Sequence, residues 1–160
     1  MNYADLILTY EEIASQNYVV ADEEERYYSA KEYPYQEEMY KIIGACMEVH
    51  KELGYGFLES VYQEALCIEL TRREIPFEAD KLLFVYYKDV KLKKTFKADI
   101  YAYGYIIVEL KAVMGSLDLH SPQVINYLTT TKHELGVLVN FGMPSLQWKR
   151  YIVSKNRKYH

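Results

Sequence analysis

Residues 93–111, KKTFKADIYAYGYIIVELK, decide the fold. Two segments rich in β-branched and aromatic residues, Lys93–Tyr101 and Tyr105–Lys111, flank the turn signal Tyr103-Gly104, as in an antiparallel hairpin. Side chains two apart on a strand share a face, so Glu109 and Lys111 project together while Leu110 points into apolar packing. The turn places Asp99, near the end of the first segment, beside Glu109. Two carboxylates so close repel each other, and a hard divalent cation such as Mg²⁺ relieves the repulsion by bridging them. A lysine beside them can stabilise charge on a phosphate or orient an attacking water. The same residues also allow a plainer arrangement, an edge-strand salt bridge of Lys111 with Asp99 or Glu109 on a solvated face.

Outward from this hairpin, Phe77–Tyr87 joins it through Lys88-Asp89 to complete a three-stranded meander. Upstream, Met39, Ile42, Ile43, Cys46, Val49 and Leu53 recur every three or four residues, the stripe of an amphipathic helix that Gly54 terminates. A second stripe, Leu58, Val61, Tyr62, Ala65 and Leu66, predicts a helix that fades near Arg73 before Pro76. Downstream, Ser121-Pro122 reads as a capping hydroxyl followed by a first-turn proline, with the helix running to about His133. Leu135–Phe141 is apolar almost throughout, as in a strand covered on both faces, and Gln147–Val153 is a last strand. The order helix, helix, three strands, helix, strand, strand makes an α/β (α+β) domain with no internal repeat.

A chain of 160 residues, half of them apolar, suits one compact domain with a short appendage. The net charge of −4 is unevenly placed. Residues 1–32 hold eight acids against two bases, a net of −6, whereas residues 33–160 hold fifteen acids and seventeen bases, a net of +2. The expected organisation is an acidic N-terminal appendage, 1–34, with a helix around Ala4–Ser15 and the run Asp22–Glu25, followed by a domain over 35–160. An acidic protein ordinarily makes a poor nucleic-acid partner, and confining the acidity to the appendage weakens that objection. Cys46 and Cys67 lack metal-ligand spacing and are expected as reduced, buried thiols. With no long apolar run and no leader-like start, a soluble, cytoplasmic protein without a membrane partner is expected.

Three further positions could carry chemistry. Gln123 and Tyr127 lie one turn apart on the same helix face. Glu59 opens the second helix, where a carboxylate also simply suits the helix dipole. Lysines 88, 91, 93, 94 and 97 crowd the first hairpin, Arg72 and Arg73 close the second helix, and Lys149, Arg150, Lys155, Arg157 and Lys158 mark the C-terminus. Such clusters can hold a phosphate backbone, and they are equally common as solvated turns.

Taken together, these blocks resemble a known family. Gly56-Phe57-Leu58-Glu59-Ser60-Val61-Tyr62 fits the signature of the GxxExxY family, a branch of the PD-(D/E)XK nuclease superfamily. Lys41–Ala45, Val49–Gly54, Val108–Ala112, Gln123–Leu128 and Gly136–Gly142 look like that family's blocks in its order, over about residues 37–153. The resemblance implies a restriction-endonuclease-like α-β-β-β-α-β core, a mixed central sheet flanked by helices. It makes Asp99 the acid of the "PD" element, Glu109 and Lys111 the E-x-K element, and Glu59 the helical glutamate of the acidic cluster. Gln123 and Tyr127 look like the Q-x-x-x-Y element of RecB-type nucleases. Implied with these are Glu59, Asp99 and Glu109 as ligands of Mg²⁺ or Mn²⁺, and nucleic acid as the partner, DNA rather than RNA. Ala98 replaces the proline that names the motif, and Tyr55 replaces a proline frequent between the two glycines. His50 falls in a family block, but a histidine near a helix end is at least as often structural.

The sequence thus supports a metal-dependent nuclease. It also leaves open a non-catalytic nucleic-acid-binding or regulatory module on the same fold, and an interaction protein whose acidic N-terminus fills its own basic groove as a phosphate mimic.

Overall fold

The computed structural model describes residues 18–21, 35–133 and 135–155. The helix expected at Ala4–Ser15, the acidic run Asp22–Glu25 and the groove-filling role given to it lie outside the described residues. A six-stranded sheet of order β1-β6-β5-β4-β3-β2 is built from β1 (Tyr18–Ala21), β2 (Phe77–Tyr87), β3 (Val90–Ala102), β4 (Ile106–Lys111), β5 (Leu135–Asn140) and β6 (Gln147–Lys155). It is mixed, because β4 and β5 run parallel while the other neighbours are antiparallel. Helices α1 (Gln36–Leu53) and α2 (Glu59–Arg72) cover one face and α3 (Ser121–Thr130) the other. This is the expected α+β, restriction-endonuclease-like arrangement.

The apolar stripe expected of α1 is buried, with Ile42 and Cys46 fully enclosed, and Gly54 ends the helix at φ 71°. In α2 the inward stripe is Tyr62, Leu66 and Leu70, whereas Leu58 and Val61, expected on that face, point outward. Cys46 is buried and Cys67 only half-buried; both are free thiols. Every residue of β5 is buried, which explains its unbroken apolar sequence: helices cover it from both sides.

Both ends of α3 differ from expectation. Ser121 does not cap α3. His120 holds that position, after a 3₁₀ turn at Leu117–His120, and the Ser121 hydroxyl instead meets Leu117 O and the Tyr151 hydroxyl. The helix stops at Thr130 rather than His133, because the Thr129, Thr130 and Thr131 hydroxyls return to backbone carbonyls and close the last turn. The strand β1, paired antiparallel with β6 from Tyr18↔Lys155 to Ala21↔Ile152, comes from the segment read as an appendage.

The hairpin β2–β3 switches faces partway along. Ile100 and Ala102 pack beneath α1 and α2, whereas Phe96 and Ala98, of the same parity, pack against α3. A period of two forbids this in a regular strand. The pairing accordingly breaks between Ala79↔Ile100 and Lys81↔Ala98, where Asp80 and Asp99 face each other and Asp80 adopts φ 53°. Pairing of β3 with β4 is confined to Ile100–Ala102, so the two strands part at Asp99 and Glu109.

Candidate active site

The parted strands leave backbone groups without ladder partners, and side chains supply them. Asp99 Oδ2 accepts a 2.8 Å hydrogen bond from the Leu110 N–H. Gln63 of α2 spans the break, donating from Nε2 to the Asp99 carbonyl at 2.9 Å and to Asp80 Oδ1 at 3.1 Å. Beyond Lys111, Asn140 holds the emerging chain with hydrogen bonds to Val113 N–H and Val113 O.

Glu109 lies on the α3 face of β4 and is only 8% exposed. Its Oε1 is buried with no hydrogen-bond partner. Burial first, and then the neighbouring Asp99 charge, push the Glu109 carboxyl up to about 8, against the pull of the Asp99 backbone N–H and of Lys111. Burial also raises Asp99, opposed by the Leu110 N–H, by its hydrogen bond with the Glu109 carboxyl and by Lys111. Glu59, exposed in the first turn of α2, is raised by burial of part of its carboxyl and by Asp99, and lowered by Lys111. His120 is lowered by burial and then by Lys111, which favours its neutral form. One ammonium group, Lys111, is therefore within electrostatic reach of Glu59, Asp99, Glu109 and His120.

The arrangement brings Asp99, Glu109 and Lys111 together, with Glu59 at their margin. Among the described residues, no three His, Cys, Asp or Glu side chains gather tightly enough to hold a metal ion by themselves. Gln123 and Tyr127 pair with each other. Gln123 Nε2 donates to the Tyr127 hydroxyl at 2.6 Å, and the Tyr127 ring stacks on Phe96 of β3 at 3.4 Å between centroids. Among the described residues neither makes a hydrogen bond to Asp99, Glu109 or Lys111.

The motif glycines and tyrosine have a structural task. Gly56 sits at φ 111°, a conformation that glycine adopts without steric cost. The buried Tyr62 donates to the Gly54 carbonyl at 2.7 Å, accepts from the Phe57 N–H at 3.3 Å, and stacks on Phe141 at 4.7 Å. Tyr62 thus fixes the loop that delivers Glu59. His50 is also structural, its Nε2 lying 2.9 Å from Met143 O. Gln63 and His120 were not singled out in the sequence. For Gln63 the signal was present, one turn beyond Glu59 on the same helix face; a histidine before Ser121-Pro122 carries none. A pocket of about 720 Å³ lies on the opposite side of the sheet, beneath α1 and against Trp148 of β6, and none of the site residues lines it.

A mixed sheet whose parting strands carry two carboxylates and a lysine, between helices on both faces, defines a restriction-endonuclease-like domain. The chain belongs to the PD-(D/E)XK nuclease superfamily, whose family model matches residues 36–151. No curated protein and no solved structure compared with the chain matches it. Nucleases of this superfamily generally use divalent metals. Among the described residues, no helix is long and apolar enough to cross a membrane.

Proposed function

We propose that the chain is a GxxExxY-type nuclease that hydrolyses phosphodiester bonds in DNA with Mg²⁺ or Mn²⁺. The carrying observation is the unpartnered, buried Glu109 Oε1 beside Asp99, with Lys111 two residues further on the same strand. Two hard carboxylates with an open oxygen suit a hard cation. Magnesium is usually held by one or two carboxylates, with water and substrate phosphates completing the shell, so a third protein ligand close by is not required. Asp99 and Glu109 would hold the ion, with Glu59 reaching it at most through water. When bound, the metal would supply charge for the developing phosphate oxyanion and a more acidic water. Lys111 would orient water and stabilise phosphate charge, and neutral His120 could accept a proton near it. Gln123 and Tyr127 would brace α3 against β3 rather than bind the ion.

Cleavage of DNA and RNA with Mg²⁺, Mn²⁺ or chelator is the test. Native protein should cleave DNA with metal and not with chelator, and the Glu109→Ala, Lys111→Ala double variant should not. Equal traces of cleavage in both proteins would overturn the reading. A specific observation favours a second reading, a binding module on the nuclease fold: the described acids do not form a three-residue cluster. Salt-dependent DNA binding without metal-dependent cleavage would select it.

A further inference from the structure

Beyond the break at Asp80 and Asp99, the outer half of the β2–β3 hairpin reads differently from the rest of the chain. Residues 81–98 hold six lysines (81, 88, 91, 93, 94 and 97) and a single acid, Asp89, a net of +5 within a chain at −4. One face of this arm packs on α3 through Leu83, Phe96 and Ala98. The other face is open, with Leu82 55% and Phe84 43% exposed, paired in register with Lys97 and Thr95. Lys91 Nζ sits 3.3 Å from the centroid of the Phe84 ring. Past a register shift, Tyr86, 37% exposed and paired with Lys91, continues this face, and at the tip Tyr87, on the other side of the hairpin, is 64% exposed with Lys88 Nζ 5.7 Å from its centroid.

Exposed rings interleaved with lysines are what an unpaired strand needs: stacking surfaces for bases and cations for phosphates. A duplex hides its base faces and would use only the lysines. On that face Leu82, 55% exposed, offers an apolar contact that suits the less polar deoxyribose. The arm also leads to the site. Lys97 Nζ lies 4.0 Å from Asp80 Oδ1, which Gln63 also contacts while holding the Asp99 carbonyl, and Glu59 is one turn before Gln63 on α2. We propose that the open face of the β2–β3 arm is a docking surface for single-stranded DNA. Delivery of that strand to Asp99 and Glu109 rests on the nuclease reading; the binding does not.

Fluorescence anisotropy of the full chain in chelator, with an oligothymidylate of about 20 nucleotides, tests this. A duplex and an oligouridylate of equal length serve as competitors. The oligothymidylate should bind tightest. The triple variant Lys91→Gln, Lys93→Gln, Lys94→Gln should flatten the logarithmic salt slope by about 2. Phe84→Ala with Tyr86→Ala should weaken oligothymidylate binding roughly ten-fold or more and leave duplex binding nearly unchanged. All five positions are exposed, and matching melting curves would confirm that the variants are folded. Tighter duplex or oligouridylate binding, or native-like binding by both variants, would overturn the proposal. So would self-association that the Phe84, Tyr86 variant abolishes, since the face would then be a protein interface. Cleavage is read separately with Mn²⁺. Absence of cleavage with this binding pattern intact removes the nuclease reading and keeps the arm; cleavage with unaffected arm variants does the reverse.

Discussion

Asp99 spends one carboxylate oxygen on the backbone: its Oδ2 accepts from the Leu110 N–H at 2.8 Å, between two strands that have stopped pairing. The same carboxylate that faces Glu109 therefore also closes the gap left by the sheet. Leu110 is 1% exposed, so its N–H has no access to bulk water.

Replacing Asp99 by Ala should cost about 1–3 kcal/mol of stability, the penalty for a buried donor without an acceptor. Asp99→Asn retains an acceptor and should cost clearly less. Urea unfolding of both variants decides this; equal losses would mean the carboxylate has no bracing role.

Glu109 is held at a cost to folding. Its folded carboxyl, pushed up to about 8 from the usual 4.5, favours the folded state most at low pH. That contribution is fully present below the unfolded value near 4.5 and is lost as pH rises through about 8. Glu109→Gln should accordingly stabilise the protein by about 2–4 kcal/mol above pH 8 and have little effect near pH 4. Thermal melts across that range check the sign, and a variant less stable than native above pH 8 would refute it.

His133 gives the opposite slope. Burial lowers its folded pKa from 6.5, and its ring spans Tyr101 OH at 2.7 Å from Nε2 and Thr131 Oγ1 at 2.9 Å from Nδ1. A base with a depressed folded pKa contributes fully above its unfolded value and loses that contribution as pH falls below about 6.5. His133→Gln should flatten this part of the stability profile relative to native protein, as measured by urea midpoints between pH 5 and pH 8.

Two glycines should respond oppositely to alanine. A Cβ on Gly142 would lie 2.3 Å from Val113 N and 2.5 Å from Val113 O, both backbone atoms held by Asn140. Gly142→Ala should cost about 3 kcal/mol and displace the chain just after Lys111. A Cβ on Gly44, within α1, meets only the flexible end of Arg73 at 3.3 Å. Gly44→Ala should be neutral or stabilise by up to about 1 kcal/mol, the gain in helix propensity. Melting temperatures of the two variants separate the cases.

Local pattern made most of the fold legible. The apolar stripe of α1, the closing glycine at 54, the turn at Tyr103-Gly104 and the continuous apolar run of β5 each follow from a short-range rule, and each element formed within a few residues of its expected bounds. The face of α2 differs from its apolar stripe because Leu58 and Val61 are apolar yet exposed, and periodicity does not say which of two overlapping stripes meets the core. Strand β1 could not be seen, since four residues acquire a strand conformation there by pairing with β6, more than 130 positions away.

The residue types at the site were fixed by sequence: the spacing of Glu109 and Lys111 on one strand, with Asp99 across a turn, already aimed a lysine and two carboxylates at one place. Only the tertiary structure decided how they meet. The break at Asp80 and Asp99 reverses the faces of the hairpin, frees the Leu110 N–H for Asp99, and leaves a Glu109 oxygen buried without a partner. A period-two pattern carries no record of such a reversal, because the side chains on either side of it still alternate. It arises when one hairpin must cover α3 with its outer half and lie beneath α1 and α2 with its inner half.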